Sequence, residues 1–438
     1  MILVGVSGAV FCRAKDRGGP SGMSERPGAG RVPAIAGDLA AALSWPPASD
    51  KFRLLAGIFL ALFAAYGVTE LAVAAARGWP DGFGDSFSLW SWGRFVHDHP
   101  AAEIYDPAAL HAAQLALGMD PGAAYPFGYP PSYLLVLWPF GLLPGGVACA
   151  AMIAVGLPLY LWATVGANWR SPALFAALAA PTTAIGMVSV QTSFLAAALL
   201  AGGMRLAAGH PVLGGVLLGL LTYKPQLGLL VPVALVAARL WRTMASAAAT
   251  AILLVLLTSL LFGGAIWPTW LAALFAFSRE FAAESSQIRH LMPTILVALL
   301  QLGVAPAMAQ LAQVAGTAAA AAIVWTLFRS GPQQLAGAGL LVAALLATPY
   351  GFLYDMQIVT IAAIWVIAER QSARGALGTG EILVIILALT APIVLVAGTT
   401  HFPVATLALI LLLGVIVRRC RRLRSQVPPA QLLDPTRL

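Results

Sequence analysis

Asp85 is the residue of this sequence best placed to act as a base. It lies in the stretch PDGFGDSFSLWSWGRF (80–95), which follows directly after an apolar run long enough to cross a bilayer. A carboxylate at that boundary can take a proton from a substrate hydroxyl. Asp is also a favoured helix N-cap, and Leu89, Trp92 and Val96 follow it at a helical spacing that suits a membrane interface. The residues alone leave both roles open, since a cap would also fix the carboxylate in place.

Lys224 places an ammonium group inside the apolar stretch LLGLLTYKPQLGLLVP (217–232). Burying this charge without a partner is costly, so the side chain must either snorkel to the membrane surface or reach an anion. Pro225 must interrupt a helix here, and the backbone N–H groups that it frees would join Lys224 in favouring a phosphate. The sequence therefore predicts an anion site at Lys224, with Gln226 beside it as a substrate-binding candidate. Snorkelling is the structural alternative.

Other polar side chains also stand at awkward positions for a membrane protein. Gln191 opens an apolar segment, and Glu70 could pair with a cation such as Lys224. Tyr354 and Asp355 lie in the turn-like stretch PYGFLYD. Each has a structural alternative, which is helix packing for Gln191, a structural role for Glu70 and a simple turn for the last two. We expect most of these residues to surround one site.

Two further stretches supply candidates on the same side of the membrane. The segment YPFGYPPSYLLVLWPFGLLP (125–144) holds five prolines, so a regular helix cannot start before Pro131. It fits a rim over a cavity, with Tyr129 as a substrate contact. Arg289 and His290 end a polar loop, where they either bind the donor phosphate or face solvent.

Composition defines the class of protein that must position these residues. Of the 438 residues 60% are hydrophobic and 10% are charged, and the mean hydropathy of +0.86 indicates a polytopic α-helical membrane protein. Much of the net charge of +8 sits in the tail RRCRRLR (418–424) and in short loops, so it orients the chain and does not indicate nucleic-acid binding. The three cysteines lie far apart without metal-ligand spacing, and nucleotide-binding motifs are missing. No cofactor or metal is predicted.

Lys and Arg in the short connections predict how the chain crosses the membrane. By the positive-inside rule they place both termini in the cytoplasm and two large loops, 77–130 and 265–292, on the outer face. This gives about twelve transmembrane helices, at 54–76, 147–167, 172–188, 191–208, 212–223, 226–241, 246–264, 306–328, 333–349, 354–369, 381–398 and 402–417. Two shorter apolar pieces, 131–143 and 293–303, are predicted to re-enter the membrane or lie at its interface. The domains are a disordered cytoplasmic extension (1–50), the transmembrane domain (51–418) and a basic cytoplasmic tail (419–438).

Several motifs occur in the order found in one known family. They are Asp85 after the first span, YD (105–106), YPPSYLLVLWPFGLLP (129–144), SVQTSFL (189–195), GGVLLGLLTYKPQLGLLVP (214–232) and ATPYGFLYD (347–355). Over about residues 55–370 the chain resembles glycosyltransferase family 87, also called DUF2029, which contains polyprenyl-phosphate-mannose-dependent α-mannosyltransferases. The sequence departs from the family in two places. The Gly-Gln pair of the family is Val190-Gln191 here, and mycobacterial members commonly have histidine near the turn that holds Tyr354 and Asp355.

The resemblance implies a GT-C-type fold with its active site at the outer face and with Asp85 at the position of the base. The donor would be a hexose, mannose first, on a polyprenyl phosphate, and the acceptor a lipid or glycan. Lys224 would hold the donor phosphate, and direct displacement with one base would invert the anomeric centre. The expected location is the bacterial inner (plasma) membrane, with membrane lipids as further partners.

A secondary transporter for a small anionic or sugar-like solute is the alternative. Broken helices and charges inside the membrane suit a transporter as well. The two large outer loops and the one-sided placement of the polar residues favour the enzyme, and a non-catalytic scaffold would not explain Lys224.

Overall fold

The computed structural model describes residues 50–78, 84–274, 289–372, 377–398 and 402–426, which form α-helices joined by 3₁₀ turns and loops. The all-helical prediction is confirmed for these residues, in which no strand occurs. The predicted cytoplasmic extension, except Asp50, and residues 427–438 of the predicted tail lie outside the described residues.

The helices are numbered in chain order. Those of the first half are α1 (Asp50–Ala76), α2 (Gly84–Asp98), α3 (Pro107–Ala116), α4 (Tyr133–Leu137), α5 (Gly145–Val165), α6 (Ala173–Ala179), α7 (Pro181–Ser189), α8 (Ser193–Leu206) and α9 (Pro211–Leu220). Those of the second half are α10 (Pro225–Gly228), α11 (Val231–Ala237), α12 (Trp241–Phe262), α13 (Ile295–Gln301), α14 (Pro306–Ser330), α15 (Gln333–Ala347), α16 (Gln357–Ser372), α17 (Thr379–Ala397) and α18 (Val404–Gln426). The 3₁₀ turns are Ala101–Tyr105, Phe140–Leu142, Leu221–Tyr223, Arg289–Leu291 and Leu353–Met356.

Five of the described helices are long and apolar enough to cross a membrane, namely α1 from Ala56 onward, α5, α12, α14 and α17. Several other predicted spans contain only helices shorter than a bilayer requires, and proline residues separate some of these helices. Pro181 separates α6 from α7, and Pro225 separates α9 from α10. The twelve-span arrangement therefore stays a prediction. The two leftover apolar pieces contain only α4, with 5 residues, and α13, with 7 residues, and neither helix could span a bilayer.

Helices α8 and α15 form the centre of the bundle. Every residue of α15 from Leu335 to Ala347 is buried, as is nearly all of α8. Their sequences are rich in Ala and Gly, and small side chains let neighbouring helices approach closely. Helix α5 packs against α8, and α14, α16 and α18 pack against α15. The segment that carries Lys224 and the turn that carries Asp355 are both connected to this rigid centre.

A glycine face holds α9, the helix that leads to Lys224, against α12. A Cβ atom on Gly215 would lie 2.5 Å from the carbonyl oxygen of Thr243, and one on Gly219 would lie 2.7 Å from that of Ala247. Residues four apart share one face of a helix, so the two glycines let the backbones touch along α9.

Helix α2, which carries Asp85, packs on the chain's own proline-rich segment. The indole nitrogens of Trp90 and Trp92 donate to the carbonyl oxygens of Leu143 and Tyr125, at 2.8 and 3.0 Å. A Cβ atom on Gly93 would lie 2.4 Å from the carbonyl oxygen of Leu137, so only glycine allows this approach. The stripe predicted for the membrane interface is instead mostly buried in protein, with Leu89 and Trp92 at 0% and 5% exposure.

Helix α17 connects two distant ends of the bundle. Leu395, near its C-terminus, packs beside Tyr354, whereas Glu381 stands in its first turn. The helix has 19 residues, or about 28 Å at the usual rise per residue. The oxygens of Glu381 accept hydrogen bonds from Arg418 at 3.0 Å and Arg419 at 2.8 Å. We call Glu381, Arg418 and Arg419 the arginine cluster.

Candidate active site

Lys224 lies in the break between two helices and is completely buried. The 3₁₀ turn Leu221–Tyr223 follows α9, and Pro225 occupies the first turn of α10, as the sequence predicts. The Lys224 ammonium donates to Oδ1 of Asp355 at 2.9 Å, and the two side chains are 0% and 2% exposed. It also lies 5.1 Å from the centre of the Tyr354 ring, a cation–π distance. Lys224 therefore reaches a buried partner and does not snorkel, and that partner is Asp355 and not Glu70.

Asp355 is placed by the 3₁₀ turn Leu353–Met356 between α15 and α16. All four residues of this turn are buried, so it is more than a simple connection between helices. Leu353 and Met356 flank the polar pair and pack into apolar clusters, which draws Tyr354 and Asp355 inward. The ion pair joins residues 131 positions apart in the sequence, and so it ties the break after α9 to the end of α15.

Asp85 lies in the first turn of α2, next to this ion pair. Because α2 begins at Gly84, the carboxylate lies just inside the helix, where the N-terminal dipole favours a negative charge. The side-chain amide of Gln191 lies close enough to interact with this carboxylate, and since an ionised carboxylate only accepts, the amide nitrogen is the group that can donate to it. Burial raises the pKa of Asp85, while the Gln191 hydrogen bond and the charge of Lys224 act in the opposite direction. A carboxylate with a raised pKa among polar side chains is typical of a general base.

Gln191 is held by an unusual backbone conformation. Val190, the last residue before it, has φ 52° and ψ 19°, in the left-handed region that a β-branched residue rarely adopts. Gln191 is 5% exposed, and its Oε1 is buried with no hydrogen-bond partner among the described residues. One amide group thus holds Asp85 and leaves an acceptor oxygen unused.

Tyrosines form one wall of the site. The phenols of Tyr129 and Tyr354 lie close to each other, and the Tyr129 and Tyr133 ring centres lie 4.6 Å apart. Tyr133 stacks on Tyr223 at 4.9 Å and shares a hydrogen bond of 2.6 Å with the hydroxyl of Thr192. The sequence prediction missed Tyr133, Thr192 and Tyr223, although each stands within a motif that it quoted. Aromatic faces of this kind suit contact with a sugar ring or an isoprenoid chain.

The structure brings only some of the predicted site residues together. Gln226 is half-buried in α10, two residues after Lys224. His290 lies apart, in a shallow groove that includes Gly398 and Phe402. Arg289 opens its 3₁₀ turn, but its side chain lies outside the described residues. The cluster around Asp85, Gln191, Lys224 and Asp355 is the candidate active site.

These observations define a helical membrane protein with a buried polar site that places a carboxylate near a cation. The chain belongs to glycosyltransferase family 87, whose family model matches residues 127–353, just over half of its length. The chain matches no curated protein and no solved structure. The matched stretch includes Gln191 and Lys224 and ends two residues before Asp355, and Asp85 lies before it. The protein is therefore a membrane glycosyltransferase, while the roles of individual residues follow from the geometry of the site.

Proposed function

We propose that this glycosyltransferase moves a hexose, with mannose as the first candidate, from a polyprenyl-phosphate-linked donor to a lipid or glycan acceptor. The observation that supports it most directly is the placement of a carboxylate with a raised pKa, Asp85, beside a buried cation, Lys224. Family membership supports sugar transfer over the transport of a solute. The apolar helices suit a donor whose lipid tail stays in the bilayer.

Transfer needs a base and a group that stabilises the departing phosphate. The oxygen of an acceptor hydroxyl forms a bond to C1 of the donor sugar, and the proton of that hydroxyl passes to Asp85. The bond between C1 and the phosphate oxygen breaks, and its electron pair stays on the phosphate. This single displacement inverts the configuration at C1, and a phosphate leaves without help from a general acid.

Lys224 takes the role of phosphate ligand. An ammonium has three donors, and the described residues use one of them, in the bond to Asp355. Asp355 holds the ammonium in place through one N–H group, and the other N–H groups can donate to phosphate oxygens. Tyr129, Tyr354 and Gln226 would contact the sugar or its phosphate from the same side, and the active site would face the outer side of the bacterial inner membrane.

Asp85→Asn tests the proposal in purified protein supplied with a radiolabelled polyprenyl-phosphate mannose. Asn has the size of Asp and is equally favoured at a helix N-terminus, but it cannot take the proton. Turnover should therefore fall by roughly 10²–10⁴-fold, while donor binding is retained. Asp98→Asn is the matched control. Asp98 stands on the same helix with a 48% exposed side chain and pairs only with the exposed Arg94 among the described residues, so turnover should be unchanged.

The same assay separates the two function classes. Solute uptake into proteoliposomes, without transfer of label to any acceptor, would support the transporter and overturn the proposal. A folded Asp85→Asn protein with near-normal transfer would remove the base assignment and leave the activity standing.

A further inference from the structure

Gln191 and Gln357 are buried glutamines whose Oε1 has no hydrogen-bond partner among the described residues. Of these two, Gln191 is the one that interacts with Asp85, and Gln313 shows the contrasting, fully used amide. Gln313 is also 5% exposed, but its Oε1 accepts from the backbone N–H of Leu296 at 3.0 Å, and its Nε2 donates to the carbonyl oxygen of Leu346 at 3.0 Å. Both ends of that amide serve the fold. The Oε1 of Gln191 is buried without a partner among the described residues, which normally costs about 1–3 kcal/mol. A cost of this kind at a site is expected where a ligand supplies the missing partner.

The backbone next to Gln191 carries a second cost. Val190 is held at φ 52°, a conformation that destabilises a non-glycine residue by about 1–3 kcal/mol. Val190 ends α7, and this turn of the chain sends Gln191 toward Asp85 instead of along the helix. Strain and an unsatisfied oxygen therefore occur in adjacent residues beside the proposed base.

The geometry of the amide restricts what the missing partner can be. Oε1 and Nε2 belong to one planar group, so a hydroxyl that donates to Oε1 lies beside a hydroxyl that donates to Asp85. A sugar ring or cyclitol presents such neighbouring hydroxyls, whereas a simple alcohol or a Ser or Thr side chain presents one.

We propose that the acceptor carries two adjacent hydroxyls, and that Gln191 determines this specificity by accepting a hydrogen bond from the hydroxyl next to the one that Asp85 deprotonates. The inference rests on the proposed transfer reaction. It names the acceptor class as a polyol, and it gives each end of the Gln191 amide a separate task.

The test compares acceptors that differ by one hydroxyl. Octyl α-mannoside, its monodeoxy derivatives and 1-octanol serve as probes, with polyprenyl-phosphate mannose as the donor. In the wild-type protein, loss of the hydroxyl adjacent to the reacting one should lower kcat/KM by about 100-fold or more, because the site's buried oxygen then stays unpaired. In Gln191→Met the same deletion should change kcat/KM by less than about threefold, since the acceptor oxygen is gone.

Gln313→Met is the matched control. It removes an equally buried glutamine that serves only the fold, so it should lower the melting temperature and keep the full discrimination between the probes. Titration calorimetry with the same probes and the wild-type protein repeats the comparison without turnover and without a variant that must fold.

The outcomes separate the two proposals. Equal use or binding of 1-octanol and octyl α-mannoside, or equal discrimination in Gln191→Met and wild type, overturns the Gln191 inference, since a buried water would then satisfy Oε1. Transfer to none of the probes, combined with equal calorimetric binding of all of them, overturns it too. Absence of transfer with selective binding of the diol probes contradicts the transfer reaction and leaves the binding site in place.

Discussion

Two groups of charged residues lie at opposite ends of the bundle, and their hydrogen-bonding capacity is used to different degrees. In the arginine cluster, Glu381 uses both carboxylate oxygens, which accept from Arg418, from Arg419 and from the backbone N–H of Gly378 at 3.0 Å. At the candidate active site, Lys224 uses one of its three donors within the described residues, and Gln191 leaves an oxygen unused. A carboxylate whose two oxygens both accept from the fold, as in Glu381, contributes to stability, whereas unused donors and acceptors keep capacity for a ligand. The difference predicts function at one end and structure at the other.

Neutralising the ion pair at the site gives the largest expected effect on binding. Lys224→Met alone would leave Asp355 buried without a partner, so Lys224→Met/Asp355→Asn removes both charges together. The double variant should fold but bind the polyprenyl-phosphate donor more weakly by roughly 2–5 kcal/mol, the usual loss when a desolvated charge contact is removed. Scintillation proximity binding with labelled donor measures the change. Unchanged affinity in a folded double variant would make this pair structural, like the arginine cluster.

Breaking the arginine cluster should show the reverse pattern. Glu381→Gln removes the charge that pairs with Arg419 at 2.8 Å, where the Arg419 side chain is 9% exposed, and the free energy of unfolding should fall by about 3 kcal/mol. Arg418→Ala is the milder companion, since its side chain is 53% exposed, and it should cost about 1 kcal/mol or less. Donor affinity and kcat of the folded variants should match wild type. Denaturant unfolding in detergent gives the energies, and a loss of kcat in folded Glu381→Gln would contradict the division between the two ends.

The break at Pro225 and the all-helical class could be predicted from the sequence, because proline and long apolar runs act locally. The partner of Lys224 could not, since Asp355 stands 131 residues away and its turn contains no signal of burial beyond Leu353 and Met356. Packing also fixes the position of His290. This residue stands at the end of a polar loop and lines a groove beside Gly398, and its contact with a phosphate stays a prediction. Long-range packing, which the local sequence pattern does not encode, determines both the partner of Lys224 and the position of His290.

The pH dependence of transfer tests the electrostatics of Asp85. Burial raises its pKa, and the base works only when ionised, so kcat/KM should fall as the pH decreases through a value above that of an ordinary Asp. Because the pKa of Asp85 is higher in the folded protein than in the unfolded chain, the protonated carboxyl stabilises the folded state. This contribution to stability is lost as the pH rises through the raised pKa. The groups that influence Asp85 or are influenced by it are Lys224, Gln191, Tyr125, Tyr129 and Tyr354.

Gln191→Met removes a hydrogen bond that lowers the pKa of Asp85, so it should move the acidic limb of the pH profile to higher pH. Gln313→Met should leave the limb in place, because Gln313 contacts residues of α13, α14 and α15 and not Asp85. An unmoved limb in Gln191→Met would mean that the amide does not stabilise the ionised base.

Val190 offers the test with the smallest expected effect. Because its backbone is strained, we expect Val190→Gly to be more stable than Val190→Ala, the reverse of the usual order. At an ordinary site Ala is more stable than Gly by about 0.4–1 kcal/mol. Val190 is 1% exposed, so both Val190→Ala and Val190→Gly lose buried apolar contacts. Only glycine also relieves the left-handed backbone, which costs an L-residue roughly 1–2 kcal/mol. Val190→Gly should therefore melt at a higher temperature than Val190→Ala, although it has the smaller side chain, and it should retain transfer because Gln191 keeps its place. If Val190→Ala proves the more stable, the backbone there is not strained, and the unused oxygen of Gln191 alone would distinguish the site from the arginine cluster.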